Sequence, residues 1–249
     1  MRISIVTAVY NRSATIGQAV ASLRAQSHAD YEHVIQDGGS TDGTLEILDG
    51  LKDERTALVS TRDSGIYDAL NRGFARASGE VIGLLHSDDF FAHDEVLAKV
   101  AATFERSGAD AVYGDLDYVS AKDETRILRH WRSGEFSQAR LRRGWMPPHP
   151  ALFLRREVVE RFGAFDTDFR IAADYDAILR YFGKGELKLA YLPEVLVKMR
   201  VGGESNRSLE RILRKSREDY RALRKNRIGG APALVWKNLS KLQQFLPRG

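Results

Sequence analysis

The sequence predicts an α/β fold with a mostly parallel central sheet flanked by helices and a helical extension at the C-terminal end. Through the first half of the chain, short apolar runs alternate with apolar stripes of helical spacing, which is the pattern of consecutive β-α-β units. The chain has 249 residues, of which 43% are hydrophobic, so it is long enough for one large domain. Residues 206–249 are strongly basic, with 12 Lys and Arg against 3 Asp and Glu.

Five apolar runs indicate the strands of the first half. They occupy residues 2–10, 31–36, 57–61, 81–91 and 111–113. Helical stripes fill the intervals, at residues 16–23, 45–51, 66–77 and 96–104. Ser13 is expected to cap the first of these helices. Because each strand returns through a helix, the strands are expected to lie parallel with right-handed crossovers.

After residue 118 the regular alternation stops. The pattern predicts a hairpin strand, a loop, two helices and one or two further strands, at residues 126–131, 140–150, 156–162, 174–182 and 187–201. Pro193 is expected to break the last of these strand regions. In the basic extension, one helix carries its apolar face on Leu209, Ile212, Leu213, Tyr220 and Leu223. Gly229-Gly230 and Pro232 end that helix, and a last amphipathic segment covers residues 234–246.

Acidic side chains follow three of the predicted strands where each strand ends. Asp37 and Asp42 follow the second strand, Asp63 follows the third, and Asp88 and Asp89 stand near the end of the fourth. The carboxyl ends of neighbouring parallel strands open into one crevice, where ligands of open α/β sheets bind. Carboxylates this close raise one another's pKa unless a cation compensates, and such oxygen ligands suit Mg²⁺ or Mn²⁺. Helix capping is the competing explanation for Asp42 and Asp63.

Several common kinds of site are absent from the sequence. There is no Gly-x4-Gly-Lys-Ser/Thr phosphate loop, no Gly-x-Gly-x-x-Gly after the first strand, no His-Glu-x-x-His and no Gly-x-Ser-x-Gly elbow. The chain has no cysteine, which excludes disulfides and cysteine nucleophiles and fits a reducing compartment. What remains is a hard metal held by carboxylates, which suits a nucleotide diphosphate because the metal bridges carboxylate and phosphate oxygens.

Five segments, in this order, resemble the family 2 glycosyltransferases, whose Rossmann-like fold is called GT-A. They read SIVTAVYN at residues 4–11, DGGSTDGT at 37–44, Asp63 through Asn71-Arg72-Gly73, SDD at 87–89 and AADYD at 172–176. Within that family the chain most resembles bacterial enzymes that build exopolysaccharide, capsule or O-antigen units on a lipid carrier. The resemblance covers residues 1–205. It implies a nucleotide-sugar-binding half (residues 1–117), an acceptor-binding and catalytic half (residues 118–205) and a basic amphipathic helical tail (residues 206–249).

The resemblance also assigns roles to individual residues. The nucleotide pocket would contain Thr7, Val9, Asn11, Asp37, Asp63 and Asp88. Asp37 would bind the base of the nucleotide, and Asp88 would lie near the ribose. Asp174 would be the catalytic base of an inverting enzyme, which removes the proton of the acceptor hydroxyl as its oxygen attacks the anomeric carbon.

The metal is assigned by the same resemblance. Asp89, with Asp88 beside it, would hold a divalent cation, Mn²⁺ or Mg²⁺, against the diphosphate. Some relatives supply a histidine to the metal from a C-terminal loop, but residues 201–205 of this chain contain none. Water, Glu204 or the diphosphate would then complete the coordination of the cation.

On the acceptor side, most residues have two explanations. Asp174 precedes a helical stripe, so a plain N-cap explains it as well, and the two roles are compatible. His149 and an exposed Trp145 would contact the acceptor, and a rigid proline-rich loop is the alternative. Ala173 is included among the acceptor-side residues because many relatives have Glu there, which puts that contact in doubt. His86 is interpreted as a structural residue at a strand end, with a contact at the donor site as the alternative.

The sequence favours a protein without a membrane span. No apolar run approaches the ~20 residues of such a span, and the N-terminus lacks the apolar core of a signal peptide. The protein is therefore expected in the cytoplasm, either soluble or peripheral on the inner face of the membrane. The tail mixes basic and apolar residues at helical spacing, which favours an anionic membrane surface or a protein partner over nucleic acid. A solvated helix face is the simpler alternative.

These observations predict an inverting, metal-dependent hexosyl- or N-acetylhexosaminyl-transferase. Its donor would be a nucleotide-diphosphate sugar, with UDP as the family's usual nucleotide. Its acceptor would be a hydroxyl of a lipid-linked or oligosaccharide molecule in surface polysaccharide synthesis. Two alternatives stay open. One is a sugar-phosphate nucleotidyltransferase, although such enzymes usually carry a glycine-rich basic loop after the first strand, and the other is a non-catalytic nucleotide-sugar-binding module.

Overall fold

A computed structural model of the chain describes residues 1–201 and 209–242. The strands are β1 Ile3–Val9, β2 Tyr31–Asp37, β3 Thr56–Ser60, β4 Val81–Leu84, β5 Asp89–Phe91, β6 Ala111–Ser120, β7 Ile127–Trp131, β8 Leu152–Arg155 and β9 Leu189–Val201. The helices are α1 Ile16–Arg24, α2 Thr44–Leu51, α3 Ile66–Arg76, α4 Val96–Ser107, α5 Gln138–Arg142, α6 Arg156–Phe162, α7 Ala173–Phe182, α8 Leu209–Lys225 and α9 Ala231–Leu242, and a 3₁₀ turn covers His149–Ala151. The described strands form one sheet in the order β3-β2-β1-β4-β8-β6-β9-β5, with β7 paired to β6.

The first half of the sheet is parallel, as the strand and helix alternation predicts. Strand β1 lies between β2 and β4, and Ile3 pairs with Tyr31 on one side and with Val81 on the other. Every residue of β1 and β2 is buried, because helices cover both faces of this half of the sheet. The carboxyl ends of β1, β2, β3 and β4 therefore share one edge, where the loops with the acidic residues begin.

The fourth predicted strand is wrong in its extent, because the chain leaves the sheet at residue 85 and returns as a separate strand. A backbone hydrogen bond of 3.0 Å from Asp89 to His86 closes the intervening turn. Strand β5 then pairs antiparallel with β9, with Asp89 opposite Met199. Three consecutive polar residues, at 87–89, cannot continue a strand that is buried on both faces, which is the physical reason for the break.

The second half of the sheet is mixed. Strand β6 is longer than predicted, β8 is an additional strand, and β9 lies within its predicted region as one continuous strand. Strand β6 pairs antiparallel with β7 and β8 and parallel with β9. Pro193 does not break β9, because the pairing register with β6 jumps from Tyr191 to Val195 and an irregularity absorbs the proline. At Gly114 the strands approach closely, since a Cβ atom there would lie 2.5 Å from Cγ of Leu196.

The C-terminal helices pack against the body of the protein. Leu223 of the predicted apolar face of α8 is fully buried, whereas Leu213 and Tyr220 are 58% and 41% exposed. Helix α8 ends at Lys225, before the predicted break. Helix α9 begins at Ala231, earlier than the predicted residue 234, and includes Pro232 in its first turn, where proline is tolerated. Residues 202–208 and 243–249 lie outside the described residues, and so does the prediction for Glu204. None of the described helices is both long and apolar enough to cross a bilayer.

Candidate active site

Asn11 joins the loop after β1 to the loop after β2. Its backbone is in the left-handed region, with φ of 52°, a conformation that asparagine tolerates better than most residues. The Asn11 N–H donates to Oγ of Ser40 at 2.8 Å, and its side-chain oxygen accepts from the N–H of Thr41 at 2.9 Å. The two loops are thereby held as one rim at the carboxyl edge of the sheet.

Asp37 organises the loop that follows β2. Its buried carboxylate accepts hydrogen bonds from the N–H groups of Gly39 and Ser40, at 3.0 and 3.1 Å, and from the hydroxyls of Ser40 and Ser60. Burial alone would raise the pKa of Asp37, but these hydrogen bonds outweigh it and hold the pKa below its usual value. The carboxylate is therefore ionised, and within the protein it fixes the loop predicted to receive the nucleotide.

Asp63 lies against the same loop. A Cβ atom at Gly38 would lie 2.6 Å from Oδ2 of Asp63, so any larger residue at position 38 would displace this carboxylate. The other carboxylate oxygen accepts from the N–H of Gly65 at 2.9 Å, directly before helix α3. The structure thus brings Asp37 and Asp63 to neighbouring positions on one rim, as the sequence predicts.

Capping at the first helix differs from the prediction. The N-cap residue of α1 is Thr15, without a side-chain hydrogen bond. The predicted cap, Ser13, instead donates its backbone N–H to Oδ2 of Asp42 at 3.0 Å. Oδ1 of Asp42 accepts from the N–H and hydroxyl of Thr44 at the start of α2, although the N-cap residue of that helix is Gly43.

Thr7 and Val9 support the site from within the protein. The Thr7 hydroxyl donates to the carbonyl oxygen of Leu85 at 2.7 Å and lies 2.9 Å from Nε2 of His33. Val9 is 3% exposed and packs in the core. Both side chains point into the interior, because β1 is covered on its two faces, so neither offers the pocket surface that the resemblance assigns to it.

Asp89 is the most unusual acid of the site. It is fully buried, and neither carboxylate oxygen has a hydrogen-bond partner among the described residues. Burial, and the charge of Asp88 beside it, raise the pKa of Asp89 well above its ordinary value, and the backbone N–H and charge of Arg200 offset this only in part. A buried carboxylate whose oxygens lack well-formed hydrogen bonds is costly, and a divalent cation with oxygen ligands would remove that cost. The residues present therefore fit the predicted metal.

The protein alone does not supply a full coordination shell at this point. No group of three His, Asp or Glu side chains within residues 1–201 and 209–242 is arranged to hold a metal ion. Asp89 and Asp88 provide two carboxylates, and Mg²⁺-type cations commonly bind through one or two carboxylates plus phosphate oxygens and water. A cation here would thus depend on a diphosphate for the rest of its ligands.

Arg200, near the end of β9, braces the turn that carries the two acids. Its guanidinium donates to the carbonyl oxygen of Asp88 and to the side chain of Gln18, and pairs with Glu124 at 2.7 Å. Its Cζ atom lies 4.6 Å from the ring centroid of Phe90. Sequence reasoning missed this residue, because no local pattern relates it to a turn 112 residues earlier.

On the acceptor side, Asp174 lies in the first turn of α7 and is joined to two histidines. Nδ1 of His149 lies 3.2 Å from Oδ2 of Asp174, and Nε2 of His149 lies 2.7 Å from Nε2 of His86. The Tyr67 hydroxyl donates to the carbonyl oxygen of Ile171 at 2.8 Å and lies 3.5 Å from Oδ1 of Asp174. These contacts form a continuous path from Asp174 through His149 to His86, which begins the turn that carries Asp88 and Asp89, called the acidic turn below.

The protonation states along this chain follow from the donor inventory. Burial alone would raise the pKa of Asp174, but the hydrogen bond and charge of His149 outweigh it and hold the pKa below its usual value. An ionised carboxylate only accepts, so Nδ1–H of His149 donates to Asp174. Burial lowers the pKa of His86 to about 3, so its ring is neutral, and a single hydrogen is shared between its Nε2 and Nε2 of His149.

Two acceptor-side predictions are corrected by packing. Trp145 is not an exposed platform, because its ring packs at 5.5 Å against the rings of both Tyr113 and Phe136, and its indole N–H donates to the carbonyl oxygen of Ser133 at 2.8 Å. Ala173 is fully buried, so it offers no surface to an acceptor, and a glutamate there would bury a charge.

Known proteins resemble this chain in sequence. The family model described as Glycosyl transferase family 2 matches residues 4–163. A PGL/p-HBAD biosynthesis glycosyltransferase of Mycobacterium bovis (strain BCG / Pasteur 1173P2) is 33% identical over 208 residues, which cover 82% of this chain and 78% of that protein. An uncharacterized glycosyltransferase of Mycobacterium tuberculosis is 32% identical over 186 residues, covering 72% of this chain and 68% of that protein.

Solved structures resemble it in fold. TarS 1-349 of S. aureus, in complex with UDP-GlcNAc, matches with a TM-score of 0.72 at 17% identity, over 91% of this chain and 65% of that one. The mannosyltransferase PcManGT of Pyrobaculum calidifontis, in complex with GDP-Man and Mn²⁺, matches with a TM-score of 0.67 at 19% identity, over 94% of this chain and 68% of that one. With the sequence matches, these likenesses lead to one conclusion: the chain belongs to glycosyl transferase family 2 and is a glycosyltransferase with the GT-A fold.

Proposed function

We propose that the protein transfers a sugar, with inversion at the anomeric carbon, from a nucleotide-diphosphate sugar to a hydroxyl of a saccharide or lipid-linked acceptor in surface polysaccharide synthesis. One observation carries the proposal. An ionised carboxylate, that of Asp174, is fixed by His149, and His149 is hydrogen-bonded to His86 beside the acidic turn. These contacts support a proposed base beside the proposed diphosphate and metal edge, which is the arrangement that displacement at a sugar carbon requires.

In the proposed reaction, Asp174 accepts the proton of the acceptor hydroxyl while that oxygen forms a bond to the anomeric carbon. The bond from this carbon to the diphosphate oxygen breaks on the opposite face, and its electron pair leaves with the nucleotide diphosphate. A cation held by Asp89 and Asp88 would supply neutralisation of the charge on that leaving group. Because the pKa of Asp174 is low, its strength as a base comes from its fixed position.

The donor class is supported by the relatives of known structure. TarS was crystallised with UDP-GlcNAc and PcManGT with GDP-Man and Mn²⁺, and both ligands are nucleotide-diphosphate sugars. Within this class we propose UDP as the nucleotide, and Mn²⁺ or Mg²⁺ as the cation. Asn11, Asp37 and Asp63 lie together on the rim proposed to receive the nucleotide.

The substitution Asp174→Asn tests the proposed base. Asparagine keeps the size of the side chain and an oxygen that accepts from His149, but it cannot take a proton. We expect transfer to fall by roughly 10²–10⁴-fold, the usual contribution of a general base, while calorimetry shows unchanged donor binding. Near-normal turnover of the variant would contradict the assignment.

Product analysis separates the proposal from its alternatives. Incubation with a panel of nucleotide sugars and acceptors should release a nucleoside diphosphate together with a glycosylated acceptor. A nucleotidyltransferase would instead consume a nucleoside triphosphate and a sugar phosphate and release pyrophosphate. A binding module would form neither product at any enzyme concentration.

We also propose that the outer face of the C-terminal helices binds an anionic membrane surface. Leu213 and Tyr220 on α8 are 58% and 41% exposed, and Val235 and Trp236 on α9 are 57% and 54% exposed. The exposed Arg217 shares the helical stripe of Leu213 and Tyr220, so cationic and apolar groups alternate along one surface. Such a surface is complementary to acidic lipid headgroups, where a lipid-linked acceptor is held.

Sedimentation with liposomes tests this attachment. The full chain should sediment with vesicles that contain acidic lipid, remain in solution with zwitterionic vesicles, and be released by salt. A variant with both Val235→Ala and Trp236→Ala should bind more weakly. Leu128→Ala is the matched control, since Leu128 is 44% exposed but lies on β7. Equal recovery of the unaltered chain in the supernatant with both vesicle types would contradict the proposal.

A further inference from the structure

The first turn of helix α7 carries Asp174, yet the helix has no side-chain cap of its own. Its N-cap residue is Ala172, which makes no side-chain hydrogen bond to the helix. The start of every α-helix leaves backbone N–H groups without intrahelical partners, and a buried start needs acceptors from elsewhere. Ala172 is 1% exposed, so solvent does not supply them.

A carboxylate from helix α8 holds the segment that leads into α7. Glu218 accepts hydrogen bonds from three consecutive backbone N–H groups, those of Arg170, Ile171 and the N-cap residue Ala172, at 3.3, 2.8 and 3.0 Å. A negative charge at this end of a helix is also favoured by the helix dipole. Glu218 therefore anchors the entry to α7, although it lies 46 residues beyond Ala172 in the chain.

The peptide before Ala172 is held from both sides, and its second contact leads to the base. The N–H of Ala172 donates to Glu218, and the carbonyl oxygen of Ile171 in the same peptide group accepts from the hydroxyl of Tyr67. That hydroxyl lies 3.5 Å from Oδ1 of Asp174. A shift of the Glu218 carboxylate would thus move the peptide that orients Tyr67 beside the base.

The same C-terminal helices hold the residues that follow Asp174. Nζ of Lys237, on α9, lies 3.1 Å from the ring centroid of Tyr175 and 2.9 Å from Oδ1 of Asp219. Lys225 and Asn226, at the end of α8, contact the buried carboxylate of Asp176 at 3.1 and 2.9 Å. The residues on either side of the base are therefore fixed by contacts from α8 and α9.

We propose that Glu218 is a positioning residue for Asp174 and that helix α8 is a working part of the catalytic half. The inference rests on the proposed role of Asp174 as the base. Its consequence is specific: loss of the Glu218 carboxylate should slow the transfer step and leave donor binding intact. The reason is that the proposed donor site lies at the carboxyl ends of β1, β2 and β3, away from Glu218. The family model matches residues 4–163, so Glu218 lies outside the matched segment.

The substitution Glu218→Gln is the primary test, because glutamine keeps the size of the side chain and loses the charge and one of the two acceptor oxygens. We expect kcat to fall by about tenfold or more through misplacement of the base, with the donor KM and the calorimetric donor affinity within about twofold of the unaltered protein. Glu218→Asp should restore part of the rate through its carboxylate. Glu210→Gln is the matched control, since Glu210 lies in the exposed first turn of the same helix.

The outcomes separate a positioning role from a purely structural one. An unchanged kcat in folded Glu218→Gln and Glu218→Ala variants would overturn the inference. A loss of rate that merely tracks a loss of donor-binding protein in the same sample would also overturn it, because the fault would then lie in folding. Single-turnover rates per donor-binding molecule provide this comparison.

Combination with Asp174→Asn tests whether the effect passes through the base. If Glu218 acts only by placing Asp174, then Glu218→Gln should cost much less in the Asp174→Asn background than alone. Full additivity of the two losses would contradict the inference. Near-normal activity of Asp174→Asn by itself would instead contradict the proposed function, so the two failures are distinguishable.

Discussion

His149 connects the two sides of the candidate active site at the scale of single atoms. One ring nitrogen serves Asp174 and the other serves His86, so the imidazole has no nitrogen left to take a proton from an acceptor. Its effect on the reaction is therefore indirect. It fixes the orientation of the Asp174 carboxylate and lowers the pKa of that carboxyl group.

Removal of this imidazole should change the pH profile of transfer. A base works when ionised, so activity falls as the pH drops through the pKa of Asp174. His149→Ala removes the main group that lowers this pKa, so the acidic limb of kcat/KM should move to higher pH, and kcat should fall about tenfold through lost orientation. Lys237, Tyr67 and the Tyr175 N–H remain beside the carboxylate in the variant.

His149→Asn is the matched control, because the asparagine amide sits where Nδ1 does and still donates to Asp174. This variant should keep the acidic limb nearer its original position. An identical limb in the unaltered protein and in His149→Ala would show that the imidazole does not set the pKa of the base.

The metal is tested most directly at Asp89. Asparagine in its place keeps the volume of the buried side chain but removes the charge that a divalent cation needs. Nucleotide affinity measured by calorimetry with Mn²⁺ should weaken by roughly tenfold or more, whereas the affinity measured with EDTA should be the same for both proteins. If Mn²⁺ gives the same gain in affinity to both proteins, Asp89 is not a ligand.

At the scale of elements, the long strand β9 links distant parts of the site. Its end supplies Arg200, whose guanidinium reaches the Asp88 carbonyl, Gln18 and Glu124. The Arg200 side chain is 7% exposed, so solvent screens its ion pair and hydrogen bonds only weakly. The acidic turn is therefore placed by a strand that lies more than a hundred residues later in the sequence.

Arg200→Lys should loosen that turn while keeping the charge. A lysine presents one ammonium group instead of a planar fork, so it cannot serve three acceptors in these directions. We expect the affinity for Mn²⁺ with nucleotide to fall about tenfold with little change in melting temperature. Arg156→Lys, in an exposed pair with Glu160, is the control for an arginine replacement as such. Unchanged affinity in Arg200→Lys would mean that the turn holds its shape without the guanidinium.

The elements that the sequence predicts well are those set by local patterns. Strands β1 to β3 and their helices follow from apolar periodicity alone. The apolar run predicts only the start of β6, because Asp115 and Asp117 interrupt it. The partners that make the burial of these two acids tolerable, Arg132 and His130, come from β7 and the residue after it. The break predicted at Pro193 is wrong for a similar reason, since the irregularity that accommodates the proline depends on pairing with β6.

The candidate site follows the same rule. The acids at strand ends are visible in the sequence because parallel strands align their carboxyl ends. Arg200, Tyr67 and Glu218 are not visible, because each acts across a separation that only the folded chain closes. Trp145 packs against the rings of Tyr113 and Phe136, and the proline-rich sequence around it, which is typical of a surface loop, does not indicate these contacts.

For the whole molecule, the buried histidines make stability depend on pH in mildly acidic solution. Burial lowers the pKa of His33 to about 4, whereas an unfolded chain would protonate this residue near its ordinary value of 6.5. Between these values the unfolded state binds more protons, so stability falls as the pH decreases. His86 acts in the same direction. The lowered pKa values of Asp37 and Asp174 affect the stability only in more acidic solution, below the ordinary pKa of an aspartate.

Denaturant unfolding should reveal this dependence. The unaltered protein should lose about 3 kcal/mol of unfolding free energy through His33 between pH 6.5 and 4, from the linkage between pKa shift and stability. His33→Gln, which keeps a side-chain amide near the Thr7 hydroxyl, should show a shallower decline over the same range. Parallel curves for the two proteins would show that His33 does not carry the effect.

The hydrogen bond between His86 and His149 also constrains any exchange of parts between relatives. One histidine belongs to residues 1–117 and the other to residues 118–205, and their ring nitrogens are 2.7 Å apart. A chimera that joined the first segment to the second segment of another protein would leave a buried imidazole nitrogen without its partner unless both histidines travelled together. A transfer of residues 1–117 between relatives, made to change the donor specificity, must therefore include His149 as the partner of His86.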